Sequence, residues 1–143
     1  MQISEIMTRN VQVIPPDATL LDAARMMRDL DVGGLPVCDG DRLTGFVTDR
    51  DIVVRAIAEG ESPDQCKVSD VMSDEIVWCY EDVDVEEAGR LMQERQVRRL
   101  AVLDRQKRLV GILSLGDLAV EGEDEEFAGE VLEQVSEPPQ PSA

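Results

Sequence analysis

Residues 32–54, VGGLPVCDGDRLTGFVTDRDIVV, and residues 97–120, VRRLAVLDRQKRLVGILSLGDLAV, are one pattern written twice. Val32, Leu35, Val37 and Asp39 meet Val97, Leu100, Val102 and Asp104 at a shift of 65 residues. One extra residue in the loop after Asp104 raises the shift to 66, and Leu43, Gly45, Asp51 and Val54 then meet Leu109, Gly111, Asp117 and Val120. Upstream, Ser4, Met7, Asp17, Ala23, Arg25 and Met27 meet Ser69, Met72, Asp82, Ala88, Arg90 and Met92. Matches that keep their order and fall on apolar and special positions alike mark an internal repeat. A copy of roughly 55 residues is too small to bury much core alone, so two copies are expected to pack together.

Each copy predicts the same elements. Residues 4–14 and 68–78 alternate apolar residues near their ends, which predicts a short entry strand. A turn at Pro15-Pro16-Asp17, or at Glu81-Asp82, leads to a helix. The first helix places Leu20, Ala23, Ala24, Met27 and Leu30 at helical spacing; the second places Val85, Ala88, Gly89 and Met92 there. Thr19 with Asp22, and Asp84 with Glu87, are capping signals at the two starts. Two short apolar runs separated by a polar loop follow as strands, and a last helix begins at Arg50 or Gly116. The fold class predicted is α/β in its α+β form, with each copy a strand-helix-strand-strand-helix unit. The division predicted is 1–58 for the first copy, 59–67 for a polar linker, 68–121 for the second copy and 122–143 for an acidic tail. That tail is expected to hold a short amphipathic helix through Phe127, Val131, Leu132 and Val135 and a disordered end.

Composition removes several function classes. The chain has 143 residues, 31 acidic and 14 basic side chains, and no histidine, for a net charge of −17. Residues 121–143 alone contribute −8. Such a balance argues against nucleic acid duplexes and acidic membrane surfaces as partners, since both need a basic face. Without histidine, Ser-His-Asp and Cys-His catalysis and any imidazole metal site are excluded. Cys38, Cys66 and Cys79 have no C-x-x-C spacing, so neither a disulfide framework nor a structural zinc site is expected. No basic-then-apolar leader and no long apolar run is present, which predicts a protein of the reducing cytoplasm. Aromatic residues are only 3%, so Val, Leu, Ile, Ala and Met must build the core; the methionines read as core filler.

Taken together, Met7-Thr8 and Met72-Ser73 at the entries, VGGLPV from Val32 with VRRLAV from Val97, and GFVTDRD from Gly45 with GILSLGD from Gly111 resemble a tandem pair of CBS domains. The resemblance covers about residues 1–120 and is strongest to small stand-alone bacterial proteins made of this pair and little else. It implies two pseudo-symmetric repeats with sheets packed face to face, and clefts between them that bind adenosine-containing ligands: AMP, ADP, ATP or S-adenosylmethionine. It also implies a homodimer, a regulatory rather than catalytic role, and no required cofactor. Inosine-monophosphate dehydrogenase carries such a pair as an insert, but its catalytic barrel takes about 250 residues, which this chain lacks. An alternative is an interaction protein, a stress-response dimer with vestigial clefts and a protein partner.

The chemistry of the motif G-x-x-[ST]-x-x-D fits the first reading. It occurs as Gly45, Thr48, Asp51 and as Gly111, Ser114, Asp117. Glycine permits close backbone approach, a hydroxyl at a helix start sits among free N–H groups suited to a phosphate, and an ionised Asp accepts two ribose hydroxyls. The same spacing is also a capping box, and one hydroxyl can serve both purposes. Before the middle strand, Gly33 and Gly34 leave backbone bare for an adenine edge, whereas Arg98 and Arg99 offer guanidinium groups to phosphate. Sites in the family draw this stretch and the entry strand from one copy and the hydroxyl-Asp pair from the other. The resemblance therefore groups Val77, Arg98 and Arg99 with Thr48, Arg50 and Asp51, the better phosphate site. It groups Gln12, Gly33 and Gly34 with Ser114 and Asp117, a weaker site or one for a less charged ligand. Leu115 and Gly116 in place of Asp49 and Arg50 mark the asymmetry. Tyr80, beside Trp78, is placed either to stack on a base or to pack at an interface.

Overall fold

A computed structural model describes residues 1–121. The expected helix and disordered end of the tail lie outside the described residues. The chain forms two compact units: residues 12–76, and residues 1–11 together with the described residues from Val77. The units therefore cut across the sequence repeats, because the first part of each entry segment, residues 4–11 and 68–76, is built into the unit that carries the other copy's strands. No helix among the described residues is long and apolar enough to cross a membrane.

The unit of residues 12–76 begins with extended chain. The expected entry strand is reduced to a bridge at Ile14, whose N–H and carbonyl bond Pro36 and Cys38 at 3.0 Å each. Pro15 and Pro16 explain the short run, since neither has an N–H for a ladder. Helix α1 (Leu20–Leu30) opens with the predicted box: the Thr19 hydroxyl accepts from Asp22 N–H at 3.1 Å and Asp22 Oδ2 accepts from Thr19 N–H at 3.4 Å. Leu20, Ala23 and Met27 are its buried face, and Asp31 ends it in the left-handed conformation at φ 55°. Strands β1 (Gly34–Asp39) and β2 (Arg42–Thr48) pair antiparallel around a turn where Gly40 has φ 64°. Helix α2 (Asp49–Ile52) runs into a π-turn over Val53–Ile57. Residues 59–67, read as a linker, are tied to the start of α1: Leu20 and Leu21 donate to the Cys66 and Pro63 carbonyls at 3.0 Å. A short helix, α3 (Val68–Val71), follows where the repeat predicts the second entry strand, and Met72 and Ser73 then lie along β2. Ile14, Leu20, Leu35, Val37, Val47 and Val68 are almost wholly buried at the centre of this unit.

The other unit repeats the theme with a fuller sheet. Strand β3 (Trp78–Tyr80) pairs parallel with β4 (Arg99–Leu103), which pairs antiparallel with β5 (Leu109–Ser114). Of the predicted entry strand only its last residue, Trp78, is in β3, and the strand runs on because Tyr80 and Glu81 stand where the first copy has Pro15 and Pro16; Glu81 N–H donates to the Leu103 carbonyl at 3.0 Å. Helix α4 (Val85–Arg95) lies between β3 and β4 in the chain; its cap differs from the expectation, since Asp84 accepts from Glu86 N–H at 3.0 Å and not from Glu87. Helix α5 (Leu115–Glu121) follows β5 directly. Residues 3–5 form a 3-10 turn where a strand was predicted, and Thr8 exchanges two backbone hydrogen bonds with Ile112 at 2.9 and 3.0 Å. Ile3, Ala88, Met92, Leu100, Val102 and Leu113 are fully buried. Met7, Met27 and Met92 sit in the two cores, as their spacing predicts, while Met26 and Met72 are partly buried against one.

Candidate functional site

The motif glycines are filled from inside each unit. A Cβ on Gly45 would stand 2.6 Å from Met72 Sδ and 2.9 Å from the Ser73 carbonyl oxygen. A Cβ on Gly111 would stand 2.7 Å from Met7 Sδ and 2.8 Å from the Thr8 carbonyl oxygen. The close approach that the glycine permits is thus made by the entry segment. It sets the motif's hydroxyl, three residues on, at the end of its strand.

Thr48 ends β2 and caps α2. Its Oγ1 accepts from Asp51 N–H at 3.1 Å, and Asp51 Oδ2 accepts from Thr48 N–H at 2.9 Å. Ser114 and Asp117 repeat the pair at 3.1 and 2.8 Å. Both turns are therefore true capping boxes. The boxes use one oxygen of each carboxylate, and an ionised carboxylate accepts at both, so Oδ1 of each Asp keeps acceptor capacity. At Asp51 that oxygen lies 3.9 Å from Arg55 Nε, and the side chain is 18% exposed.

The glycine and arginine stretches lie against the capped turn of their own unit. Gly34 is paired with Thr48, and the Gly33 carbonyl accepts from Asp49 N–H at 3.0 Å. A Cβ at Gly33 would meet Asp49 Oδ2 at 3.4 Å. Arg99 is paired with Ser114, and the Arg98 carbonyl accepts from Leu115 N–H at 2.8 Å. The side chains of Arg50, Arg98 and Arg99 are exposed. Val77 precedes β3 and its carbonyl accepts from Ala101 N–H at 3.1 Å, while Gln12 is exposed two residues before the Ile14 bridge. Thr48, Arg50 and Asp51 are thus gathered with Gly33 and Gly34, and Ser114 and Asp117 with Arg98 and Arg99.

Two side chains were missed in the sequence. Arg55 was legible as the i+4 partner of Asp51. Arg105 carries no such local signal: from the β4–β5 loop it stacks 4.1 Å from the Tyr80 ring centre and grips Asp82 with contacts of 2.8 to 3.0 Å. Arg105 thus covers one face of the Tyr80 ring, and Trp78 meets Tyr80 in a T-shaped pair at 5.1 Å.

Nucleophiles are muted. All three cysteines are buried and free. Burial pushes each thiol up: Cys38 with help from Asp41, Cys66 with help from Asp70, and Cys79, beside Glu87, to about 11. A pocket of about 250 Å³ beside α4, lined by Cys79, Val83, Glu87, Leu91 and Glu94 among others, includes none of the predicted residues. Its thiol stays protonated and unreactive at neutral pH. Among the described residues, no three Cys, Asp or Glu side chains gather as a metal site.

The doubled motif and the two compact units it builds define a duplicated α/β architecture, and comparison gives that class its name. The CBS domain model matches residues 3–57 and 68–123, and the chain belongs to this family. It is similar to the CBS domain-containing protein YhcV of Bacillus subtilis, 41% identical over 134 residues and 94% of each chain. It is 39% identical to Hypoxic response protein 1 of Mycobacterium tuberculosis over 116 residues, 80% of each chain. A solved structure of Hypoxic Response Protein I with two coordinated zinc ions is similar at TM-score 0.76 and 37% identity, covering 85% of this chain and 98% of that one. The structure of CBSX2 in complex with AMP is similar at TM-score 0.71 and 30% identity, covering 82% and 93%. A CBS pair is a regulatory module, and one structural relative binds AMP.

Proposed function

We propose that this chain is a non-catalytic sensor of the cytoplasm that binds an adenosine-containing ligand, AMP, ADP, ATP or S-adenosylmethionine, and works as a homodimer. The observation that carries the reading is the hydroxyl-carboxylate turn made twice with the same two hydrogen bonds, each beside a bare-backbone or arginine-bearing strand start. Thr48 and Asp51, and Ser114 and Asp117, take ribose hydroxyls. Arg50, Arg98 and Arg99 take phosphate, and Gln12, Gly33, Gly34 and Val77 border the base. For the dimer, Val53, Val54 and Ile57 offer apolar surface, being 57%, 46% and 49% exposed on one turn.

Calorimetry and thermal unfolding with the four ligands test this. A ligand at a hundred times its dissociation constant raises stability by about 2.7 kcal/mol. We expect a shift of that size with at least one of them, without turnover, and a dimer in sedimentation of the same samples. No shift with any of the four favours the second reading, an interaction protein whose turns are only helix caps. The completeness of both capping boxes is the observation on that side.

A further inference from the structure

The two capped turns share a hydroxyl and a carboxylate but differ in charge. Asp49, Arg50, Asp51 and Arg55 sum to zero, whereas the matching positions hold Leu115, Gly116, Asp117 and Glu121, a net −2. Arg55 is placed to make that difference felt. Its Nη1 donates to the Val71 carbonyl at 3.3 Å, and its Nε stands 3.9 Å from Asp51 Oδ1, the oxygen that the capping box leaves open. Val71 ends α3, and terminal helix carbonyls lack partners within the helix and attract cations. The guanidinium is therefore tethered at one end and faces the carboxylate with the other. A carboxylate there suits sugar hydroxyls but repels a phosphate carried on the same sugar. At separations of several ångströms near a protein surface, one unit charge changes binding by about tenfold.

We propose that Arg55 sets the ligand preference of the Thr48–Asp51 turn, offsetting the carboxylate charge so that a phosphate-bearing adenosine is taken over neutral adenosine. This rests on the reading above that the turn binds an adenosyl ligand. The competing account is that Arg55 only caps α3. Arg55→Gln keeps an N–H donor for the Val71 carbonyl and removes the charge; Arg55→Glu installs the charge found at position 121; Arg55→Lys restores it. Dissociation constants for AMP and for adenosine are measured on the full chain at low and high salt. Arg55→Gln is expected to weaken AMP about fivefold and Arg55→Glu about tenfold, with adenosine unchanged within about twofold, the gap narrowing in salt. Arg55→Lys is expected to recover most of the AMP affinity. Should Arg55→Glu fail to fold, the Gln and Lys variants carry the comparison. Equal losses for AMP and adenosine, or an AMP affinity indifferent to Arg55 while Asp51→Asn weakens it, overturn this assignment and spare the underlying reading. A parent protein that binds neither compound overturns the assignment, and the reading falls with it only when ADP, ATP and S-adenosylmethionine also fail to bind.

Discussion

Gly45→Val is expected to destabilise the protein by about 3 kcal/mol, read as a drop in the guanidinium unfolding midpoint. Two obstacles stand where the first new carbon would go. Met72 Sδ at 2.6 Å is the flexible end of a side chain and can move, but the Ser73 carbonyl at 2.9 Å is backbone. Moving it breaks the reciprocal bonds between Phe46 and Ser73, both 2.9 Å. The β-branched substituent then meets the same wall a second time. Gly111→Val is the twin experiment, with Met7 and the Thr8 carbonyl in the same roles. Gly116→Ala is the control: its nearest obstacle is Ser114 Oγ at 3.6 Å, and inside α5 an added methyl gains about 0.5 kcal/mol. A Gly45→Val protein as stable as its parent would show that the entry segment does not clasp β2 in solution.

Asp51→Ala is expected to weaken the adenosyl ligand by about thirtyfold or more, since hydrogen bonds to a charged acceptor are worth about 1.5–3 kcal/mol each. The same change removes half of a capping box and lowers stability by about 1 kcal/mol. Asp51→Asn separates the two effects. An amide oxygen still accepts from Thr48 N–H, so the cap survives, but the charge and one acceptor are gone. Calorimetry on both variants, with denaturation of the same samples, gives affinity and stability side by side. Combining Asp51→Ala with Arg99→Gln, and separately with Ser114→Ala, reports which groups act on one ligand, because only these fail to add. An affinity untouched by either Asp51 variant would return the turn to a purely structural role.

Much of this was legible from residues alone. The order-preserving repeat declared the family, the three-and-four spacing of Leu20, Ala23 and Met27 declared α1, and the spacing of Thr48 and Asp51 declared the capped turn. Periodicity failed at the entry segments. Alternating apolar residues there are buried by two short helical turns and an extended bridge, and alternation over so few residues does not separate these outcomes. It also failed to say which sheet each entry segment joins, since that is decided by fit onto Gly45 and Gly111 far along the chain. The Asp84 cap missed its partner by one residue, as the first-turn N–H groups of a helix compete for a single oxygen. Arg105 on Tyr80 joins positions 25 residues apart, beyond any local rule.

The interleaving of residues 1–11 with the stretch after Val77 has a consequence for synthesis. A ribosome releases the middle unit as one contiguous piece, able to close as soon as residue 76 clears the exit tunnel. The opening eleven residues, including the apolar Ile3 and Met7, must wait for the strands they cover, roughly a hundred residues later. From residue 76 to the end of β5 is about 40 residues, so at about 5–20 residues per second a nascent chain carries a finished centre and an unpaired sticky segment for roughly two to eight seconds.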